Sequence, residues 1–134
     1  MMRREMHNIA IVGSRDSRNW GLVSKIIEDE SKKGMLDTIY TGDCKTGIDF
    51  IVKSIYREEY YDSGIDFKEY VADWDKFGLK AGPIRNGWIM NQLDVDNDMV
   101  YAIRIKGQEN KGTESAIKEA LKRRIRVHII NSEI

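Results

Sequence analysis

Ile9-Ala10-Ile11-Val12-Gly13-Ser14-Arg15-Asp16 is the stretch from which the fold can be read. An apolar run rich in β-branched residues stops at Gly13, and small polar and charged residues follow at once. A segment of helical period begins near Trp20. Strand, Gly-Ser turn and helix together leave backbone N–H groups aimed above the carboxyl end of the strand. An anion fits there, a phosphate above all. A second glycine loop, Lys111-Gly112-Thr113-Glu114, is brought beside the first one if the intervening chain folds as its pattern predicts.

Working outward, short branched runs alternate with longer segments of helical period. Residues 7–12 read as the first strand. Residues 20–33 read as a helix with Trp20, Val23, Ile26 and Ile27 on one face, closed by Ser31-Lys32-Lys33-Gly34. Residues 38–41 form a second strand ended by Gly42. Residues 47–61 form a second helix striped with Ile48, Ile51, Val52 and Ile55, and Asp62-Ser63-Gly64 breaks it. Residues 67–71 make the third strand, and 72–82 a loop. Pro83 suits the first position of a helix reaching Leu93. Residues 99–105 read as the fourth strand and 106–112 as a polar loop. A helix over 113–124 turns Ile117, Ala120 and Leu121 inward, and 126–130 is the last strand.

Strands that alternate regularly with helices make a parallel sheet covered on both faces. Right-handed crossovers then predict an α/β fold, a Rossmann-like three-layer α/β/α sandwich whose five parallel strands run in the order 3-2-1-4-5. That order reverses between the first and fourth strands. The two glycine loops follow those two strands, which places them on either side of one crevice.

The chain has 134 residues, enough for one domain with its own core, and no linker or repeat divides residues 1–134. It is 41% hydrophobic and 33% charged, as ordinary globular proteins are. No apolar run approaches the ~20 residues of a membrane span, and the basic start is not followed by a signal-type apolar segment. The single cysteine, Cys44, cannot pair within the chain, which suits a reducing cytoplasm. The 22 basic residues equal the 22 acidic ones, which argues against a dedicated duplex-DNA binder. His7 and His128 fall within strands and read as structural. No His or second Cys is spaced to make Cys44 a metal ligand, so no metal is expected.

Four groups of residues can carry chemistry. In Gly13-Ser14-Arg15, the serine hydroxyl and the arginine guanidinium can both donate to a phosphate. Arg15 and Arg18 stand where a G-x-G-x-x-G fingerprint needs glycine, so no dinucleotide redox cofactor is expected. In the loop after the second strand, Gly42 and Asp43 border the crevice. Asp49 serves either the helix dipole or a ribose hydroxyl. Around the third loop, Asp73 and Trp74 precede Arg85 and Asn86, a cation and an amide able to hold a phosphate, a ribose or a base edge; Trp74 can equally cover the core edge. Last, Lys111, Gly112, Thr113 and Glu114 open a helix, with Thr113 a good N-cap.

In order along nearly the whole chain stand VGSRD (12–16), GDCKTGID (42–49), ADW (72–74), AGPIRN (81–86) with Met90 behind it, and GTE (112–114). This ordered set resembles the YspA-like (YAcAr) branch of the SLOG superfamily, which also holds the Smf/DprA and "lonely guy" (LOG) proteins. The resemblance implies a domain that binds nucleotides or molecules derived from them. It places phosphate contacts on Gly13, Ser14, Arg15, Gly112 and Thr113, and pocket contacts around Gly42, Asp73, Arg85 and Asn86. It also implies a homo-oligomer, with a dimer expected. The chain departs from the LOG motif P-G-G-x-G-T-x-x-E: Glu109 and Asn110 replace two glycines, and Ala116 stands in the glutamate's place. Glu114 sits about 160° round a helix from that position.

Four functions compete on these grounds. The first is a nucleotide-binding sensor or sequestering module. The second is a hydrolase of N-glycosidic bonds in nucleoside monophosphates or ADP-ribose-like compounds, with Asp16, Asp43, Asp73 or Glu114 as the catalytic carboxylate. A third is single-stranded nucleic-acid binding, for which Lys122-Arg123-Arg124-Ile125-Arg126 would supply charge. The fourth is an interaction domain with a relic pocket.

Overall fold

A computed structural model describes residues 6–134; the start of the chain, with Arg3 and Arg4, lies outside the described residues. The elements are β1 (His7–Gly13), α1 (Trp20–Lys32), β2 (Leu36–Gly42), α2 (Gly47–Ile55), β3 (Asp66–Tyr70), α3 (Trp74–Phe77), α4 (Ala81–Met90), β4 (Met99–Ile105), α5 (Lys111–Lys122) and β5 (Arg126–Ser132). The strands form one parallel sheet in the order β3-β2-β1-β4-β5. This is the α/β sandwich and the strand order that the sequence pattern predicts.

Side chains alternate across the central strands and feed two cores. Ile9 and Ile11 of β1, with Tyr101 and Ile103 of β4, pack against Val23, Ile26 and Ile27 of α1 and the Ile48–Ile55 stripe of α2. Ala10 and Val12, with Val100 and Ala102, face Ile89 and Met90 of α4 and Ala116, Ile117 and Ala120 of α5. Helices α1 and α2 therefore cover one face, α4 and α5 the other. Chain direction across the sheet reverses between β1 and β4, which opens a crevice above their carboxyl ends.

Several element ends differ from the sequence expectation, each for a physical reason. Trp20 is the first residue of α1, with no turn before it to cover the ring, and it is 43% exposed. α2 closes through a π turn, Tyr56–Tyr60. The loop after β3 contains α3, whose N-cap Asp73 accepts from Lys76 N–H at 3.1 Å. Pro83 is the third residue of α4, not its first, because the chain is already helical at Ala81. α5 likewise starts at Lys111, which moves Thr113 from the cap into the first turn. Leu121 lies one step beyond the Ile117–Ala120 face and is exposed, while Ala116 takes the inward place.

Candidate functional site

The β1–α1 loop is shaped by what packs on it. A Cβ on Gly13 would stand 2.5 Å from the Ile48 side chain and 2.6 Å from the Ile103 carbonyl oxygen, so this glycine admits α2 and β4 rather than a ligand. Ser14 N–H donates to that same carbonyl at 2.9 Å. Gly47, at φ +73°, has Ser14 O 2.3 Å from where its Cβ would be, and Ile48 N–H donates to Ser14 O at 3.1 Å. Thr46 Oγ1 donates to Arg15 O at 2.9 Å. The start of α2 thus clamps the loop from below.

α1 does not aim at the crevice. Its N-cap Asn19 accepts from Leu22 N–H at 3.1 Å and donates to Ser132 Oγ at 2.8 Å, beside the end of β5. The β1–α1 loop therefore borders the crevice without the start of its helix, because Ser14–Asn19 carry the chain away before α1 begins.

The remaining helix start, that of α5, is open. Asn110 holds the N-cap position, yet its side chain makes no capping bond. Its amide donates instead to Gln108 O at 2.7 Å and Ile105 O at 3.3 Å, closing the β4–α5 loop. The first bond within the helix is Glu114 N–H to Asn110 O, at 2.9 Å. The N–H groups of Lys111, Gly112 and Thr113 precede it and find no acceptor in the helix. Thr113 is only 3% exposed, and its hydroxyl bonds to nothing among the described residues. No fully enclosed side-chain polar atom lacks a partner there, so this hydroxyl reaches the cavity. Ser14, also buried, accepts from Asp16 N–H at 3.1 Å and keeps its own proton uncommitted.

These groups share one cavity of about 290 Å³, walled by the β1–α1 loop, the start of α5, Gly42, Asp49, Arg85 and Asn86. Arg15 contributes a guanidinium with no partner among the described residues. Arg85 is already engaged: Nη1 donates to Asp43 Oδ1 at 2.5 Å and to Tyr70 O at 3.4 Å. A Cβ on Gly42 would stand 2.6 Å from that nitrogen and 2.7 Å from Asp49 Oδ2, so a larger residue there would push the cation or the second carboxylate aside. Asn86 accepts from Arg85 Nε at 3.1 Å and reaches toward Gly112 O and Ser115 Oγ at 3.4 Å, tying α4 to the first turn of α5.

Asp49 is the buried carboxylate of the wall. Burial pushes its pKa up, against the lowering effects of Cys44 N–H, Arg85 and Thr41. Both of its oxygens accept hydrogen bonds, Oδ2 from Cys44 N–H at 3.1 Å and Oδ1 from the Thr41 hydroxyl. Thr41 Oγ1 has one proton and two acceptors in reach, Ile11 O at 2.7 Å and Asp49 Oδ1 at 3.1 Å.

Of the residues singled out in the sequence, the cavity wall contains Gly13, Ser14, Arg15, Asp16, Gly42, Arg85, Asn86, Gly112 and Thr113. Asp43, Asp73, Trp74 and Glu114 lie off that wall. Asp43 pairs with Arg85, Asp73 caps α3, and Glu114 pairs with Arg104 at 2.7 Å. Trp74 is more than half exposed beside Gly82. Asp16 is thus the one of the four proposed catalytic carboxylates on the wall. Asp49 and Lys111, also weighed in the sequence, line the cavity as well, together with Glu109 and Asn110. The position of Asp49 at the edge of the Ile48–Val52 stripe was the signal for its burial. In the basic cluster, Lys122 and Arg123 are paired with Glu119.

Among the described residues, no helix is long and apolar enough to cross a membrane, and no group of three or more His, Cys, Asp or Glu could hold a metal ion. No family model matches the chain, and no curated protein matches it either.

Proposed function

We propose that the chain binds a small phosphate-bearing molecule of nucleotide type, its phosphate seated on the first turn of α5. The carrying observation is Asn110, a cap residue whose side chain is spent on the preceding loop, leaving three N–H groups facing the cavity. A phosphate there would take those donors, the helix dipole, the Thr113 and Ser14 hydroxyls, and the Arg15 guanidinium. Charge narrows the ligand. The cations Arg15 and Lys111 stand with Asp16 and Glu109 on the same wall, while Arg85 is paired with Asp43, which suits one phosphate and disfavours a polyphosphate. The resemblance to the YspA-like branch supports the same reading: a sensor or sequestering protein in a cytoplasmic nucleotide pathway, with a second copy as expected partner.

Titration calorimetry with inorganic phosphate, ribose 5-phosphate and nucleoside 5′-monophosphates tests it. Thr113→Val should weaken every phosphate compound that binds by about tenfold or more, one hydrogen bond to a charged group being worth at least about 1.5 kcal/mol. Its melting temperature should hold, because the hydroxyl has no protein partner to lose. Absence of binding by any of these compounds would sink the proposal.

Asp49 favours a second reading, hydrolysis of an N-glycosidic bond, since a carboxyl on the cavity wall whose pKa is pushed up by burial is the kind of group that serves as general acid toward a leaving base. Mass spectrometry of a nucleotide after incubation decides between them: free base supports hydrolysis, intact ligand supports binding alone.

A further inference from the structure

The loop between β2 and α2 borders more than the crevice. Cys44 also lines a second concavity, of about 360 Å³, on the outer face of α2. Phe50, Lys53 and Arg57 enter it from that helix and its π turn, at spacings that put them on one side. Lys45 stands at one margin and Val71, just past β3, at another. Phe50 is 45% exposed and Val71 60%, although both elements offer buried positions nearby. Trp20 meets the Phe50 ring edge-on with centroids 6.1 Å apart. Lys53 is paired with Glu69 at 3.1 Å, whereas Lys45 and Arg57 have no carboxylate partner among the described residues.

We propose that this concavity is the base subsite of the ligand whose phosphate occupies the crevice, so that a nucleobase passes over Cys44 and stacks on Phe50. The inference rests on the phosphate reading above. Three observations carry it. The crevice, at about 290 Å³, is at the small end of ligand sites and leaves part of a nucleotide to lie elsewhere. The two concavities meet at Cys44, beside the Asp43–Arg85 pair that fixes the saddle between them. Finally, an outward aromatic ring flanked by cations is what a flat, electron-rich heterocycle binds, by stacking and by guanidinium contact.

The experiment compares ribose 5-phosphate with the four nucleoside 5′-monophosphates, by calorimetry, on the wild type and on Phe50→Ala. At least one nucleotide should bind the wild type about tenfold more tightly than ribose 5-phosphate, within the range of ring stacking. Phe50→Ala should erase that advantage and leave ribose 5-phosphate affinity unchanged. Arg57→Ala, an exposed side chain, should lower nucleotide affinity in the same selective way. Equal wild-type affinities for ribose 5-phosphate and all nucleotides would overturn the subsite. So would an advantage that survives Phe50→Ala, or an equal loss for both ligand types. If no phosphate compound binds the wild type, the phosphate reading itself has failed.

Discussion

The two ends of the sheet treat their buried polar groups in opposite ways. At the amino end, Glu30 accepts from Tyr101 Oη at 2.6 Å, Lys33 Nζ at 2.7 Å and His7 Nε2 at 3.0 Å. Nearby, Asp98 accepts from Asp94 N–H at 2.6 Å and Asn8 N–H at 2.7 Å. At the carboxyl end, the Thr113 hydroxyl has no partner, Asn110 leaves its helix uncapped, and Arg15 is unpaired among the described residues. Volume alone would mislead, because a groove of about 480 Å³ at the amino end exceeds the crevice. Satisfied groups hold the fold together. Unsatisfied ones, where a fold could have satisfied them, mark the place kept for a ligand.

The largest break in that comparison should come from Glu30→Ala. Burial pushes the Glu30 pKa up, but the bonds from Lys33, Tyr101 and His7 outweigh it and hold the carboxylate below its ordinary range. Its stabilising contribution is therefore present above the unfolded value and is lost as pH falls through the folded one. Removal leaves the buried Tyr101 hydroxyl unpaired and should cost about 3 kcal/mol, seen as a melting temperature about 10 °C lower at pH 7. Phosphate affinity, measured well below that temperature, should not change. A melting temperature equal to that of the wild type would show that the amino end is not a structural network.

Arg15→Ala should do the reverse. A charged hydrogen bond to phosphate is worth about 1.5–3 kcal/mol, so affinity for a phosphate compound should fall about 10-fold to 150-fold. The exposed side chain has no protein partner, and thermal unfolding should be unaltered. If stability and affinity fell together, Arg15 would belong to the structural class instead.

Much of this contrast was legible before the structure. The apolar run ending at Gly13 and the alternation of strands with helices determine the sheet order, because right-handed crossovers leave few alternatives. Strand ends were less visible. Asn131 and Ser132 are polar, yet they pair with Arg104 and Ile105 in the ladder, a long-range effect that local pattern does not carry. The start of α5 was read at Thr113, whereas the helix begins at Lys111 with Asn110 at the N-cap. The choice depends on Asn110 folding back on Ile105 and Gln108, which is a tertiary event. Asp49 does lie in the first turn of its helix, but its burial was hidden for a related reason, since it goes with the room that Gly42 leaves across the loop.

Asp49 also provides the smallest effect and the finest test of the comparison, since it lies at the carboxyl end but is bonded like an amino-end group. Its folded pKa is raised, so the native state holds the proton more tightly than the unfolded chain does. The resulting stabilisation is complete below the unfolded value of about 3.8 and drains away as pH rises through the folded value. Asparagine mimics the protonated form: its amide can donate to Thr41 Oγ1 while its oxygen accepts from Cys44 N–H. Asp49→Asn should therefore melt close to the wild type at pH 4 and above it at pH 7, by a few degrees at most. The other titrating groups are common to both proteins and cancel in the difference. A variant that instead melts lower at pH 7 than at pH 4, relative to wild type, would mean that the carboxylate is ionised in the cavity wall. Asp49 would then be a fixed negative charge facing the phosphate, and the seat proposed for that phosphate would have to move along α5, away from Gly42.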